Sequence, residues 1–144
     1  MSNLLEVRHV SVHYGVIEAV KDVSIMVPKG SIVAILGANG GGKTSLLKTI
    51  SGLIDATEGD ILFDGEDITD KSAEWITNAG IVQSPEGRQI FGDLTVEENL
   101  RIGAFTVKKQ DGKSRKQRLQ ENLNRVYRYF PVLQERRHQV ALTL

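Results

Sequence analysis

Cysteine is absent from the 144 residues, which excludes a disulfide framework, a thiolate metal site and a cysteine nucleophile. Charge of one sign is not in excess either, because 18 lysines and arginines match 18 aspartates and glutamates. We therefore expect no nucleic-acid partner, since such partners attract a basic surplus. No apolar run approaches the roughly 20 residues that span a bilayer, so we expect no direct membrane insertion. The first residues lack a basic segment followed by an apolar core, so we expect no secretory signal and a cytoplasmic location.

The first third of the chain predicts β structure. Val10, Val12 and Tyr14 alternate with polar residues, and residues 23–27 repeat this alternation, as on strands with one buried face. Residues 31–36 form a continuous apolar run rich in β-branched side chains. Such a run predicts a strand covered on both faces, as in a parallel sheet.

A helix is expected to follow the glycine-rich residues 37–42. Its buried side would carry Leu46, Leu47 and Ile50, and Gly52 is a plausible stop.

The middle of the chain predicts a hairpin and a short helix. Asp-Gly at 64–65 lies between short apolar runs, which is typical of a β-hairpin turn. Asp70 and Ser72 are both candidate N-caps for a helix that carries Trp75 and ends near Gly80. Residues 81–82 are a short strand candidate.

The last third predicts helices. Thr95 and Glu98 have capping-box spacing, and Ser114 and Gln117 repeat it before a longer helix. One face of that helix is apolar, with Leu119, Leu123, Val126 and Phe130. Its basic residues predict a solvated face rather than a binding patch, given the neutral chain; they are Arg115, Lys116, Arg118, Arg125 and Arg128.

The strongest motif is the glycine-rich run at 37–44, which fits the phosphate-binding pattern G-x-x-x-x-G-K-[S/T]. Glycines let backbone amides approach a phosphate closely, and a following helix adds positive charge at its N-terminus. Lys43 would neutralise phosphate charge, and the Thr44 hydroxyl is a hard oxygen ligand suited to Mg²⁺. The alternative is a glycine turn that binds nothing, but the predicted strand before the loop and helix after it favour phosphate binding. The G-x-G-x-x-G spacing of dinucleotide-binding loops begins at neither Gly37 nor Gly40, so the loop does not fit that class of site.

The order and spacing of three segments resemble the nucleotide-binding subunits of ATP-binding-cassette (ABC) transporters. These segments are Tyr14-Gly15, residues 20–24 and the loop at 37–44. The resemblance implies that Tyr14 stacks on adenine and that Gln83 is the glutamine that approaches the metal and attacking water. From the residues alone, a strand-end aromatic in a core is the favoured interpretation of Tyr14, and Gln83 is only a polar residue that ends a strand.

The segment after Gln83 narrows the resemblance. Residues 85–88, Phe91, 94–100 and 103–105 are similar to the branched-chain amino acid importers, and within them to the second ATPase subunit. Urea-type importers have a similar stretch, so they remain the alternative substrate class. Glu86 and Arg88 are either an ion pair that shapes this loop or part of a surface turn.

The resemblance implies an α/β fold: a P-loop NTPase core of the ABC ATPase type with an N-terminal antiparallel β subdomain and the start of a helical subdomain. The chain is expected to divide into two parts. Residues 1–84 would form the β subdomain with the phosphate-binding loop and Gln83, and residues 85–144 would form the start of the helical subdomain. The resemblance implies ATP and Mg²⁺ as cofactors. Thr44 and Gln83 would bind the metal, and Lys43 and Gln83 would be the catalytic residues. Implied partners are membrane permease subunits and a second ATPase subunit in a head-to-tail dimer, on the inner face of the plasma membrane. The nucleotide-binding residues would be Tyr14, Asn39, Gly40, Gly41, Gly42, Lys43, Thr44 and Ser45.

The sequence departs from the family in three ways. The family's signature motif would begin where the chain stops at Leu144, and no apolar strand ends in Asp-Glu. We therefore expect a truncated, incomplete domain that does not hydrolyse ATP alone, with exposed apolar surface and self-association or altered strand pairing. Gly41 replaces the family's alanine, which should permit the fold and loosen the loop slightly. Two rival functions remain: a nucleotide-binding interaction module without turnover, and a P-loop kinase.

Overall fold

The computed structural model describes residues 2–38 and 40–144, so the predicted phosphate-loop residue Asn39 lies outside the described residues. The chain divides into two compact units, Met1–Ser84 and Pro85–Leu144.

The first unit is built on a four-stranded antiparallel sheet. Its strands are β1 (Asn3–Tyr14), β2 (Ile17–Pro28), β3 (Glu58–Phe63) and β4 (Glu66–Asp67). The order across the sheet is β2-β1-β3-β4, so β1 pairs with β2 along one edge and with β3 along the other. The predicted N-terminal antiparallel sheet is confirmed.

The turn between β3 and β4 is the hairpin that the Asp-Gly pair predicts. Asp64 and Gly65 have φ values of 49° and 83°, and positive φ at both central residues is what the tight hairpin turn requires. Phe63 then pairs with Glu66, immediately across the turn.

Helix α1 (Lys43–Ile50) follows the glycine loop as predicted, and it packs on the sheet through Leu46 and Ile50. Leu47 was also expected on the buried side, but it is exposed. Each residue turns the helix by about 100°, so the side chain after Leu46 points away from the sheet. The core of this unit consists of Val7, Val10, Val12, Val20, Leu46, Ile50, Ile61, Ile68 and Ile76.

Both helices of this unit end at left-handed glycines. Ser51 is the C-cap of α1, and Gly52 follows with φ 79°. Helix α2 (Ala73–Ala79) begins at Ser72, whose Oγ accepts a hydrogen bond from the Trp75 amide at 3.1 Å, and ends at Gly80 with φ 114°. Ser72 rather than Asp70 is therefore the N-cap.

Two predicted strands do not form. Residues 31–36 and 81–82 belong to no strand, and Ile32 and Leu36 are 99% and 91% exposed. A strand needs a hydrogen-bonded neighbour, and none of the described residues pairs with these segments. Local apolar pattern was sufficient to suggest the strands but could not supply their partners.

The second unit is helical. It contains α3 (Val96–Gly103), α4 (Arg115–Tyr129), α5 (Pro131–Glu135) and a 3₁₀ turn (Ala141–Thr143). Within the described part of the chain, no helix combines the length and apolarity that crossing a membrane requires.

Capping chemistry sets the starts of α3 and α4. Thr95 Oγ1 accepts from the Glu98 amide at 3.1 Å, which confirms the predicted cap. Ser114 and Gln117 form a reciprocal capping box, also as predicted.

The apolar face of α4 differs from prediction at its end. Leu123 is buried, but Phe130 is exposed and has left the helix, with φ −131°. The following Pro131 disfavours helical geometry at the preceding residue, so Phe130 cannot extend the apolar face. Tyr127, which periodicity did not single out, is buried instead.

Candidate phosphate-binding site

The glycine loop is held against β2 by a close backbone approach. Gly42 is the N-cap of α1 with φ 86°, and a Cβ there would lie 2.1 Å from the Ala19 carbonyl oxygen. Gly40 also has a positive φ, 85°. At Gly41 the constraint is milder: its amide donates to the Ala38 oxygen at 3.0 Å, and a Cβ would lie 3.0 Å from that same oxygen. Glycine at 41 thus relieves a tight contact.

The first turn of α1 presents backbone donors to the loop. The first amides of an α-helix have no intrahelical acceptor, and the helix dipole places partial positive charge at this end. The first turn holds no acidic side chain, and Thr44 is exposed. These features suit an anion with several oxygens.

Lys43 lies over the loop rather than in solvent. Its Nζ donates to the carbonyl oxygens of Gly37 and Ala38, the second at 3.1 Å. In the described part of the chain no carboxylate forms an ion pair with it. The ammonium is therefore a point cation held by two neutral carbonyls, and its charge is available to a phosphate.

Tyr14, at the end of β1, reaches the same helix turn. Its hydroxyl donates to Ser45 Oγ at 3.3 Å, and the residue is 46% exposed. The chain separation of 31 residues means that the fold, rather than local sequence, brings this aromatic ring beside the loop. A ring so placed leaves a face for a flat ligand group.

Gln83 lies at the other end of α1. Its Oε1 accepts a hydrogen bond from Ser51 Oγ at 3.0 Å, and no hydrogen bond joins it to Thr44 among the residues described. It borders a cavity of about 210 Å³. The cavity is lined by Leu47, Ile50, Ser51, Ile81, Val82, Gln83 and Ser84.

The structure thus brings together six of the predicted binding residues with Tyr14, and it places Gln83 apart from them. The six are Gly40, Gly41, Gly42, Lys43, Thr44 and Ser45, the last of which contacts Tyr14. Sequence patterns did not indicate that Ala19 would contact the loop or that Ser51 would bind Gln83, because both contacts join distant parts of the chain.

The donor set suits a hard cation. The Thr44 hydroxyl and the Gln83 amide are oxygen donors of the kind that Mg²⁺ prefers. Across residues 2–38 and 40–144, no group of three or more His, Asp and Glu side chains converges on a metal position.

Comparison with known proteins gives a consistent family. The sequence model described as "ABC transporter" matches residues 20–141. The chain is similar to the high-affinity branched-chain amino acid transport ATP-binding protein BraG of Pseudomonas aeruginosa, at 41% identity over 98% of the chain and 58% of the relative. It is also similar to the probable branched-chain amino acid transport ATP-binding protein LivF of Archaeoglobus fulgidus, at 43% identity over 65% of the chain and 40% of the relative.

A solved structure shows the same fold. A nucleotide-free ATP-binding cassette from an ABC transporter matches with a TM-score of 0.82 and 28% identity, over 99% of this chain and 59% of that chain. The chain thus spans less than two thirds of the length of the proteins it matches.

Proposed function

We propose, from the premise that this chain belongs to the ABC transporter family, that its glycine loop binds the triphosphate of ATP. The observation that carries this proposal is the Lys43 ammonium, held by the Gly37 and Ala38 carbonyls at the N-terminus of α1. An exposed anion site with a fixed cation and unpaired helix amides fits a polyphosphate.

Each residue near the loop has a distinct task in this proposal. Lys43 exchanges its two carbonyl partners for phosphate oxygens, and Ser45 and the neighbouring amides orient the phosphate chain. Tyr14 provides an aromatic face for adenine, for which stacking contributes about 1–3 kcal/mol in comparable nucleic-acid contacts. Thr44 and Gln83 would hold Mg²⁺, which supplies charge neutralisation on the phosphates when bound.

The proposed biological role is the ATP-binding subunit of a branched-chain amino acid importer. The identity to BraG over nearly the whole chain supports this substrate class. In this role the subunit couples ATP binding and hydrolysis to uptake, working with membrane permease subunits and a second ATPase subunit at the inner face of the membrane. A urea- or amide-type importer is the alternative within the family.

We further propose that this chain alone binds ATP without hydrolysing it. Phosphoryl transfer requires an oriented water as well as positioned phosphates. No acidic side chain in the described residues forms a hydrogen bond or ion pair with Lys43, Thr44 or Gln83. This favours a nucleotide-binding module for the isolated chain.

Calorimetric titration with ATP and magnesium tests the site. Lys43→Ala should lower the affinity at least about tenfold, since charged hydrogen bonds contribute about 1.5–3 kcal/mol. Lys48→Ala is the matched control, because Lys48 lies in the last turn of the same helix. This variant should bind ATP with the original affinity. Equal binding by both variants would refute the assignment.

Two further measurements test turnover and substrate. Phosphate release from the chain with Mg-ATP should not exceed background, and release that Lys43→Ala abolishes would refute the non-hydrolytic proposal. In cells that express the protein with its transporter, Lys43→Ala should reduce leucine uptake. Reduced urea uptake with unchanged leucine uptake would favour the alternative importer.

A further inference from the structure

Ser51 connects the end of α1 to Gln83. Its hydroxyl donates to Gln83 Oε1 at 3.0 Å, and both side chains are half-buried beside a mainly aliphatic cavity. A hydrogen bond in such surroundings is stronger than one in water. The contact therefore holds the glutamine amide in one orientation.

That hydrogen bond places the amide oxygen beside Ser51, the C-cap of α1, whereas Thr44 lies in the first turn of the helix. Ser51 lies seven positions after Thr44, and a rise of 1.5 Å per residue puts them roughly 10 Å apart along the helix axis. Gln83 Oε1 lies within hydrogen-bonding distance of the Ser51 end. To reach a metal beside Thr44, the glutamine must leave Ser51.

Release does not leave the serine hydroxyl without a partner. Ser51 Oγ also lies 3.2 Å from the Lys48 carbonyl oxygen. A hydroxyl has a single proton, so the two acceptors compete for it, and Lys48 receives it when Gln83 departs. Exchange of partners keeps the cost of release small compared with leaving a buried donor unsatisfied.

We infer that Ser51 is a positioning residue that retains Gln83 in a resting orientation and thereby opposes its ligation of the nucleotide-bound metal. The inference rests on the proposed function, because it assigns a metal-facing state to Gln83. It predicts that the Ser51 hydroxyl weakens the contribution of Mg²⁺ to ATP binding while leaving metal-free binding unchanged.

The test compares the ATP dissociation constant in EDTA with that in Mg²⁺, and the ratio measures the contribution of the metal. Ser51→Ala should raise this ratio about two- to threefold, at the low end of the range for one hydrogen bond, because the Lys48 carbonyl replaces Gln83 as the acceptor on release. Ser51→Thr keeps the hydroxyl and should retain the original ratio. In a Gln83→Ala background, Ser51→Ala should have no further effect.

A second measurement examines the hydrogen bond without nucleotide. The side-chain amide resonance of Gln83 should shift toward that of a freely rotating glutamine in Ser51→Ala but not in Ser51→Thr. An unchanged resonance, or an unchanged metal ratio in protein that binds ATP, overturns the inference. If the unaltered chain binds no ATP, the proposed function fails, and the resonance alone then decides whether Ser51 retains Gln83.

Discussion

The hydroxyl of Tyr14 donates to Ser45 Oγ at 3.3 Å, so the last residue of β1 contacts the first turn of α1. This contact joins the antiparallel sheet to the helix that follows the glycine loop. It places an aromatic ring beside the first turn of α1, where the proposed phosphate site lies. The hydroxyl and the ring of Tyr14 can be tested separately, because one anchors the side chain and the other would meet the ligand.

Replacement of the ring should weaken ATP binding more than removal of the hydroxyl. Tyr14→Ala should cost about 1–3 kcal/mol of binding free energy through lost stacking, whereas Tyr14→Phe should cost less than about 1 kcal/mol. Calorimetric titration measures both. Tyr129→Ala, at an exposed tyrosine of the second unit, is the control. Equal losses from the two Tyr14 variants would contradict a stacking role.

Gly42 should be far less tolerant of substitution than Gly40. Both have positive φ, but only Gly42 has a backbone atom, the Ala19 oxygen, within 2.1 Å of an added Cβ; at Gly40 nothing in the described part of the chain lies within 4 Å. Gly40→Ala should cost about 1–2 kcal/mol for the left-handed backbone, and Gly42→Ala about 3 kcal/mol or more because overpacking adds to it. Urea unfolding measures the difference. Similar losses of unfolding free energy in Gly40→Ala and Gly42→Ala would show that the loop can move away from β2 without cost.

Features decided by neighbouring residues could be predicted from the sequence. Ser72 and Ser114 cap their helices through bonds to amides three residues later, and the Asp64-Gly65 turn needs only its own backbone conformation. The same is true of the glycine loop and the start of α1. Local chemistry is sufficient for each of these elements, so pattern and structure agree.

Features that join distant segments could not be predicted in this way. The expected strand at 31–36 required a neighbour that local pattern cannot provide. The resemblance selected Tyr14 for the site, but its contact with Ser45 spans 31 residues. The bond between Ser51 and Gln83 spans 32 residues, and neither residue's local surroundings indicated it.

Tyr127 should be replaceable by phenylalanine with a gain in stability. Its hydroxyl is buried and has no hydrogen-bond partner in residues 2–38 and 40–144, and burial, followed by the nearby Glu97, raises its pKa. An unsatisfied buried polar group costs about 1–3 kcal/mol, so Tyr127→Phe should raise the free energy of unfolding by up to about that amount. Tyr129→Phe, at an exposed position, should change nothing. A loss of stability in Tyr127→Phe alone would reveal a partner for the hydroxyl.

Acid should weaken the β3–β4 region through Asp67. The Thr69 hydroxyl, and then the Thr69 amide, donate to the Asp67 carboxylate and lower its pKa below the ordinary 3.8. A lowered pKa in the folded state gives stability that is present above the ordinary pKa and is lost as the pH falls through the lowered value. Carboxyl NMR titration should show a higher pKa for Asp67 in Thr69→Val and little change in Thr69→Ser. The same pKa in all three proteins would exclude the hydroxyl as the main cause.

The apolar segment at 31–36 should mediate self-association of the chain. It is apolar, uncharged, free of proline and paired with no strand of the described chain, and Ile32 is 99% exposed, which is the combination that favours pairing between identical segments. Sedimentation at increasing protein concentration should show assembly. Ile32→Asp should weaken it about tenfold or more, because burial of an isoleucine contributes about 1.5–3 kcal/mol. Val16→Asp makes a comparable change at a fully exposed turn and should leave assembly intact; a monomer at every concentration, or equal effects of both variants, would exclude this segment as the interface.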